Sequence, residues 1–361
     1  MKKRIGWIDI TRGIGMLLII IGHTLGPYTF STVARVIFAV HVPVFFVLSG
    51  YLFSQKDWKT IFSKLNRNLL LPYIATCFIM IVANWIALHH QNPFIVAKIQ
   101  THQFIIAALY GVGTNTAIPF MNQTVFAIGA IWFLVAMYIG DLMFNLSFKI
   151  ADRFKSTKLI LLLSVAECIL GFILASKIHF ILPWSISAAL ESQAFYCGGY
   201  LIRKSNLIER SFVYPIIGIV LWGISAYTGF FYLNTGYAAN PFFAILGGIG
   251  GSFTLMVLSK YLELILSKIP LVLKAIQKFG QLSLLVLCGH IFDLNILGLA
   301  EIVYNQFIRN SEIVATIVSI GYRILFVSLI LFIIPRIPFI RSFFLNRQYP
   351  FNFNFKNKLI D

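Results

Sequence analysis

Charge is scarce in this sequence. Only 11% of its 361 residues are Asp, Glu, Lys or Arg and 59% are hydrophobic, where a soluble globular domain carries roughly 25% charged residues. Most of the chain therefore cannot face water, and a soluble enzyme is excluded. Acidic residues are the scarcest, 12 against 29 Lys and Arg, which leaves a net charge of +17. Nucleic acid would need that charge gathered on one folded surface or groove. Here the basic residues are scattered through short gaps between apolar runs, so membrane lipids are the expected partner and nucleic acid is not. Cysteine is also sparse. Cys77, Cys168, Cys197 and Cys288 each lie inside an apolar run and form no C-x-x-C pair, which points to neither a metal site nor a disulfide framework. No internal repeat, mirrored pair of broken helices or polar linker stands out. A cleavable leader is not expected either: Lys2, Lys3 and Arg4 make a basic start, but Asp9 and Arg12 interrupt the apolar stretch and no small-residue cleavage site follows.

What the chain does have is a succession of apolar runs of bilayer length. A hydrocarbon core about 30 Å thick needs roughly 20 residues of helix. Segments 6 to 26, 33 to 53, 69 to 89, 124 to 145, 159 to 177, 180 to 202, 212 to 233, 238 to 259, 282 to 302 and 313 to 335 meet that need. The expected fold is all-α, a polytopic membrane bundle of about ten transmembrane helices over residues 1 to 345, with a tail over 346 to 361 lying along the inner membrane surface. Residues 104 to 118 are apolar but short and glycine-broken, as suits a re-entrant or interfacial element. Basic residues test the count, because cytoplasmic loops carry the positive excess. Lys98, Lys177 and Arg309 fall on one side and Arg12, Arg35 and Arg323 inside spans, while every other Lys and Arg falls on the opposite side. Both termini are then expected in the cytoplasm and the protein in the cell membrane.

Ionisable side chains inside a span cost roughly 2.5 to 3.5 kcal/mol on insertion scales and commonly mark a functional path. Asp9, Arg12 and His23 fall in the first segment, Arg35 and His41 in the second, Asp141 in the fourth, Glu167 in the fifth, Glu191 in the sixth, His290 and Asp293 in the ninth and Arg323 in the tenth. At about 100° per residue, Arg12 and His23 return to within about 20° of one face, about 16 Å apart along the axis. An anion-binding group is thus stacked below a proton-handling one. Ser49-Gly50 offers a small polar surface for close helix approach. Lys64 and Arg67 are three apart at the cytoplasmic entrance, where such a pair can grip phosphate. Asp141 and Glu167 are read as structural, and Glu191 asks for a partner such as Arg323 or His290.

With those residues assembled, the chain resembles the acyltransferase-3 family of integral membrane O-acyltransferases, in particular its fucose 4-O-acetylase-like branch. The resemblance rests on WIDITRGIGMLLIIIGH at 7 to 23, FAVHVPVFFVLSGYLF at 38 to 53, KLNRNLLLPY at 64 to 73, IWFLVAMYI at 131 to 139, WSISAALESQAFYCGGYLIRK at 184 to 204 and LSLLVLCGHIF at 282 to 292. It implies a ten-helix unit in a bacterial plasma membrane that takes acetyl from cytoplasmic acetyl-CoA and places it on a sugar hydroxyl of an envelope or exported polysaccharide. By the same resemblance Arg12 and His23 match the family's paired Arg and His, Ser49-Gly50 its Ser-Gly, and Arg67 its basic position. Two departures are visible: no soluble hydrolase-like domain is appended, and residues 185 to 187 read Ser-Ile-Ser where an acid is expected in many relatives, for which Glu191 could substitute.

Acyl transfer to a hydroxyl needs a base or an acyl carrier, and histidine suits both roles. His23 takes that role in this reading. Arg12 and Asp9 complete the catalytic candidates, and Arg12, Ser49, Lys64 and Arg67 are the expected donor-binding set for acetyl-CoA. Arg35, His41, Trp132, Glu191 and His290 are the candidates for the glycan or sugar acceptor, and no metal is expected. A transporter or flippase for a lipid-linked sugar would also use ten helices with buried charges, but it would need no basic entrance of CoA size.

Overall fold

The structure, a computed structural model, describes residues 4–90, 93–119, 122–210, 213–309 and 311–351. The expected N-terminal charges at Lys2 and Lys3 and most of the expected tail, 352–361, lie outside the described residues. Among the described ones the fold is all-α apart from two short hairpins. Six helical stretches are long and apolar enough to cross a bilayer, and one bent pair would make seven.

Each of the ten predicted segments is helical over much of its length, but several break where side chains or backbone interrupt the ladder. The first forms α1, Gly6–Gly22, and ends with His23 as its C-cap, short of the predicted residue 26. The second splits into α2, Thr32–Phe38, and α3, Pro43–Tyr51. Pro43 has no N–H to continue a helix from above and is suited to start the next one. Residues predicted as a loop instead form α4, Trp58–Leu65, capped by Asp57, whose carboxylate accepts from the Thr60 amide at 2.8 Å and its hydroxyl at 2.7 Å. Those bonds hold the Asp57 carboxyl below its ordinary pKa. A π-helical turn, Asn66–Leu70, leads into α5, Leu71–His89.

The glycine-broken region is a short helix, α6, Thr101–Tyr110, followed by the hairpin β1, Thr116–Ile118, and β2, Gln123–Val125, with Thr116 opposite Val125. That hairpin delays α7, Trp132–Arg153, eight residues beyond the predicted start. α8 runs Thr157–Lys177. The next segment starts late, because Pro183 is followed by Trp184 and Ser185 at positive φ. It gives α9, Ile186–Glu191, and α10, Gln193–Lys204. The remainder forms α11, Val213–Thr228; a second hairpin, β3, Phe231–Tyr232, with β4, Tyr237–Ala238; and α12, Pro241–Leu266. α13, Pro270–Gln281, and α14, Ser283–Asn295, meet at a bend of 71°. α15, Leu299–Phe307, α16, Glu312–Ile333, and α17, Ile340–Phe344, complete the chain.

The core that positions the site is aromatic. Phe46, Phe144 and Tyr196, all fully buried, join α3, α7 and α10, with Phe144 stacked on Tyr196 at 5.3 Å and Phe46 edge-on to it at 5.6 Å. α3 and α10 cross at their glycines: a Cβ on Gly50 would meet the Tyr196 carbonyl oxygen, and one on Gly199 the Val47 carbonyl oxygen. The close approach expected of Ser49-Gly50 is therefore a backbone-to-backbone contact. α13 meets α1 in the same way, its Gly280 against the Asp9 carbonyl, and so supports the turn of α1 that carries Arg12.

Candidate active site

α1 carries its two marked residues into two different cavities. Toward its N-terminal end, Arg12, Ser49, Lys56, Lys64 and Asp141 line a small cavity of about 120 Å³. Toward its C-terminal end, a cavity of about 400 Å³ is lined by His23, His41, Trp132, Tyr232, Asn234 and Thr114 with apolar neighbours. The cavities share no lining residue. At the level of Gly15, between them, Phe45 packs against α1 and edge-on against Phe133, 5.6 Å away.

The small cavity is a cluster of cations around one carboxylate. Asp9, 2% exposed, pairs with Arg4 at 2.7 Å and with Arg12 at 3.4 Å. Asp9 itself lines neither cavity, so its place is to hold Arg12, in the first turn of a helix where an acid is favoured. Lys56 reaches the cavity on a loop pinned to α7 by Asn145, which accepts from the Lys56 amide at 3.0 Å and donates to its carbonyl at 3.1 Å. Lys64 comes from the last turn of α4. Asp141 and Ser49 complete the lining, near Tyr196, whose hydroxyl donates to the Met137 carbonyl at 3.3 Å. Asp141, expected to be structural, lines the cavity with these cations. Its spacing from Lys56 and Lys64 gave no sign of this.

Arg67 is the one member of the expected donor set that stays out. It lines neither cavity, and its Nε donates to the Ser63 carbonyl at 3.2 Å on the exposed surface. The π-helical turn over Asn66–Leu70 winds wider than an α-helix, but Leu65 and Asn66, between Lys64 and Arg67, keep α-helical backbone angles. It is the side chain of Arg67, turned back onto Ser63, that leaves the set.

The large cavity gathers three histidines nearby. His23 and His41 line it, with ring centroids 6.3 Å apart, and His290 lies 5.9 Å from His23 behind it. His41 points Nδ1 at the Ile37 carbonyl, 3.1 Å away, which assigns the proton to Nδ1 and leaves Nε2 as the acceptor. Trp132 forms one wall. The second hairpin and its turn also line it: Tyr232 stacks on Phe230 at 5.1 Å, and Asn234 donates to the Thr114 hydroxyl at 2.6 Å. Aromatic faces beside amide and hydroxyl groups make a cavity suited to a polar ring compound.

Two other acceptor candidates lie elsewhere. Arg35 is directed at the Phe230 ring, 5.5 Å from its centroid, and lines neither cavity. Glu191 is fully buried beside Gly171 and Gly236, and neither carboxylate oxygen has a hydrogen-bond partner. The expected pairing of Glu191 with Arg323 or His290 is not found. Arg323 pairs with Asp293 at 3.5 Å instead, because α16 packs on α14 and Glu191 faces α8. Glu167 accepts from Ser147 at 2.8 Å, as a structural carboxylate would. Ser185, where an acid is expected in relatives, donates to the Gly111 carbonyl at 2.9 Å and so ties α9 to the end of α6.

Residues 5–340, nearly the whole chain, match the model of a protein family described as an acyltransferase domain. No curated protein and no solved structure gives a significant match.

Proposed function

The chain belongs to the acyltransferase-3 family, and on that premise we propose that it is a membrane O-acetyltransferase. In this reading it moves acetyl from cytoplasmic acetyl-CoA to a hydroxyl of a cell-envelope or exported polysaccharide. One observation carries the reading: one helix, α1, presents Arg12 to a cation-lined cavity and His23, its C-cap, to a histidine- and aromatic-lined cavity. The rise of about 16 Å between those residues suits the long pantetheine arm of CoA better than a compact donor.

Arg12, Lys56 and Lys64 hold the donor's phosphate-bearing end, as guanidinium and ammonium groups do through charge-assisted hydrogen bonds. The small cavity cannot enclose a nucleotide, so the adenosine part rests outside it, toward the N-terminal end of α1. The arm passes the Phe45–Phe133 layer, whose rings turn aside to admit it. In the large cavity the acceptor hydroxyl attacks the thioester carbonyl. The oxygen–carbon bond forms as the carbon–sulfur bond breaks, the thiolate leaves with the electron pair, and the hydroxyl proton passes to His23. Trp132 and Tyr232 offer ring faces to the sugar. His41, with Nε2 free to accept, holds a neighbouring hydroxyl.

Purified protein given radiolabelled acetyl-CoA is expected to consume the thioester only when acceptor glycan is present and to leave label on the glycan; intact thioester under all conditions overturns the reading. A second measurement tests the donor end. Loss of a charge-assisted hydrogen bond costs roughly 1.5 to 3 kcal/mol, about 10- to 100-fold in affinity. Arg12→Ala and Lys64→Ala are expected to raise KM for acetyl-CoA by about 10-fold or more, whereas Arg67→Ala, on the exposed surface, should change it less than about threefold. Equal effects at all three would place the phosphates outside the small cavity.

A further inference from the structure

Behind His23 the bundle buries a second polar cluster that lines neither cavity. His290 is fully buried, and neither of its ring nitrogens has a hydrogen-bond partner. Its ring centroid lies 5.9 Å from that of His23 at a tilt of 36°, with no direct hydrogen bond to it, a spacing that one bridging water can span. One turn along α14, Asp293 accepts from the Tyr322 hydroxyl at 2.8 Å and pairs with Arg323 at 3.5 Å. Asp293 Oδ2 and Arg323 Nε and Nη1 are also buried without a hydrogen bond. A buried polar group without a partner costs about 1 to 3 kcal/mol. A cluster of such groups in mid-membrane therefore calls for a compensating role.

The arrangement follows the logic of an activated base, in which a third group orients the base from behind. We infer that His290 is a positioning residue for His23, with the Asp293–Arg323–Tyr322 network one turn further along α14. This rests on the acyl-transfer reading above. Through one bridging water, His290 accepts the N–H of His23 on the side away from the large cavity. That fixes the tautomer and leaves the other His23 nitrogen with its lone pair toward the acceptor. When the acceptor oxygen bonds to the acyl carbon and the thiolate departs, His23 holds the hydroxyl proton, and the resulting positive charge is shared through that water with His290. Arg323 is paired with Asp293 at 3.5 Å, and the carboxylate, one turn from His290, serves to neutralise it. Without the carboxylate, an uncompensated cation would oppose the charge forming on His23.

The test compares variants of the full-length protein in proteoliposomes, with kcat and KM measured for acetyl-CoA and for acceptor glycan. His290→Ala is expected to lower kcat by about 100-fold or more with both KM values within about twofold. His290→Gln, whose amide oxygen can still accept from His23, should recover to within about 10-fold of the native kcat. Asp293→Asn should lower kcat with KM unchanged. A native-like kcat in His290→Ala, an equal loss in the Ala and Gln variants, or a raised acceptor KM with kcat kept would each overturn the inference. The last would make His290 an acceptor contact. If His290→Ala yields no folded protein, His290→Gln against His290→Asn carries the same comparison, since the shorter amide cannot reach and must lose activity. Native protein that leaves thioester untouched overturns the acyl-transfer reading and this inference together. Native turnover with indifferent His290 variants sinks this inference alone.

Discussion

His23→Ala is expected to abolish acceptor-dependent transfer, lowering kcat by about 10²- to 10⁴-fold, the usual worth of a positioned base, which corresponds to about 3 to 5 kcal/mol of transition-state stabilisation. The expectation rests on position as well as chemistry. His23 is the C-cap of α1 and lines the large cavity, and its ring is flanked by those of Phe38, His41 and His290. Removing the imidazole deletes the group that meets the acceptor while leaving the Arg12 end of the helix intact. KM for acetyl-CoA should therefore stay close to native. His41→Ala provides the internal comparison. It removes a neighbour on the acceptor side, so it should raise acceptor KM more than it lowers kcat. Single turnover without acceptor separates the two roles open to His23: release of up to one CoA thiol per native protein, absent in His23→Ala, marks an acyl carrier, and no release marks a base. A His23→Ala protein that acetylates glycan at the native rate would overturn the assignment outright.

Several parts of this site were legible in the sequence because they depend on short-range helical geometry. The eleven-residue interval puts Arg12 and His23 on one stripe whatever the rest of the chain does, and Ser49-Gly50 announces a close crossing by size alone. What escaped depends on interruptions of the helix or on long-range packing. A composition window reads 180 to 202 as one apolar run, but Pro183 and the left-handed Trp184 and Ser185 delay the helix to Ile186. Arg67 turns back onto the Ser63 carbonyl on the surface, a side-chain direction that spacing does not carry. Asp141 joins the cations only because the Asn145-pinned loop and α4 fold back onto α7. Asn234 and Tyr232 reach the large cavity because the segment predicted as a span over 212 to 233 leaves the helix at Thr228 and turns into a hairpin that carries Tyr232, a break that apolar composition does not signal. Glu191 shows the converse: an acid conspicuous in the sequence lies against α8 with no cation beside it.

Gly50→Leu is expected to prevent the bundle from assembling, and Gly50→Ala to weaken it measurably. The reason lies in what the added carbon meets. Most glycines that pack against side chains can be substituted if the neighbour rotates away, but a Cβ at Gly50 falls on the Tyr196 carbonyl oxygen, with the Tyr196 carbonyl carbon at 2.6 Å and Cα at 2.8 Å. Backbone atoms inside a helix cannot step aside. α3 and α10 must separate as rigid bodies, and the paired contact of Gly199 with Val47 is pulled apart with them. Overpacking of this kind costs typically 1 to 3 kcal/mol. Here the cost extends to the stacked Tyr196–Phe144 and edge-on Tyr196–Phe46 pairs, each worth about 0.5 to 1.5 kcal/mol beyond its buried area. The same movement shifts Ser49, next to Gly50 in the lining of the small cavity, and takes the Tyr196 hydroxyl from the Met137 carbonyl of α7, so activity at the small cavity falls before the protein unfolds. Gly223→Ala and Gly321→Ala are the controls, since a Cβ at either position meets nothing within 4 Å and helix propensity favours alanine. Thermal unfolding in detergent, followed by size-exclusion chromatography, should place Gly50→Ala well below native and both controls at or above it. Gly50→Ala as stable as the controls would mean that α3 and α10 do not cross at this contact.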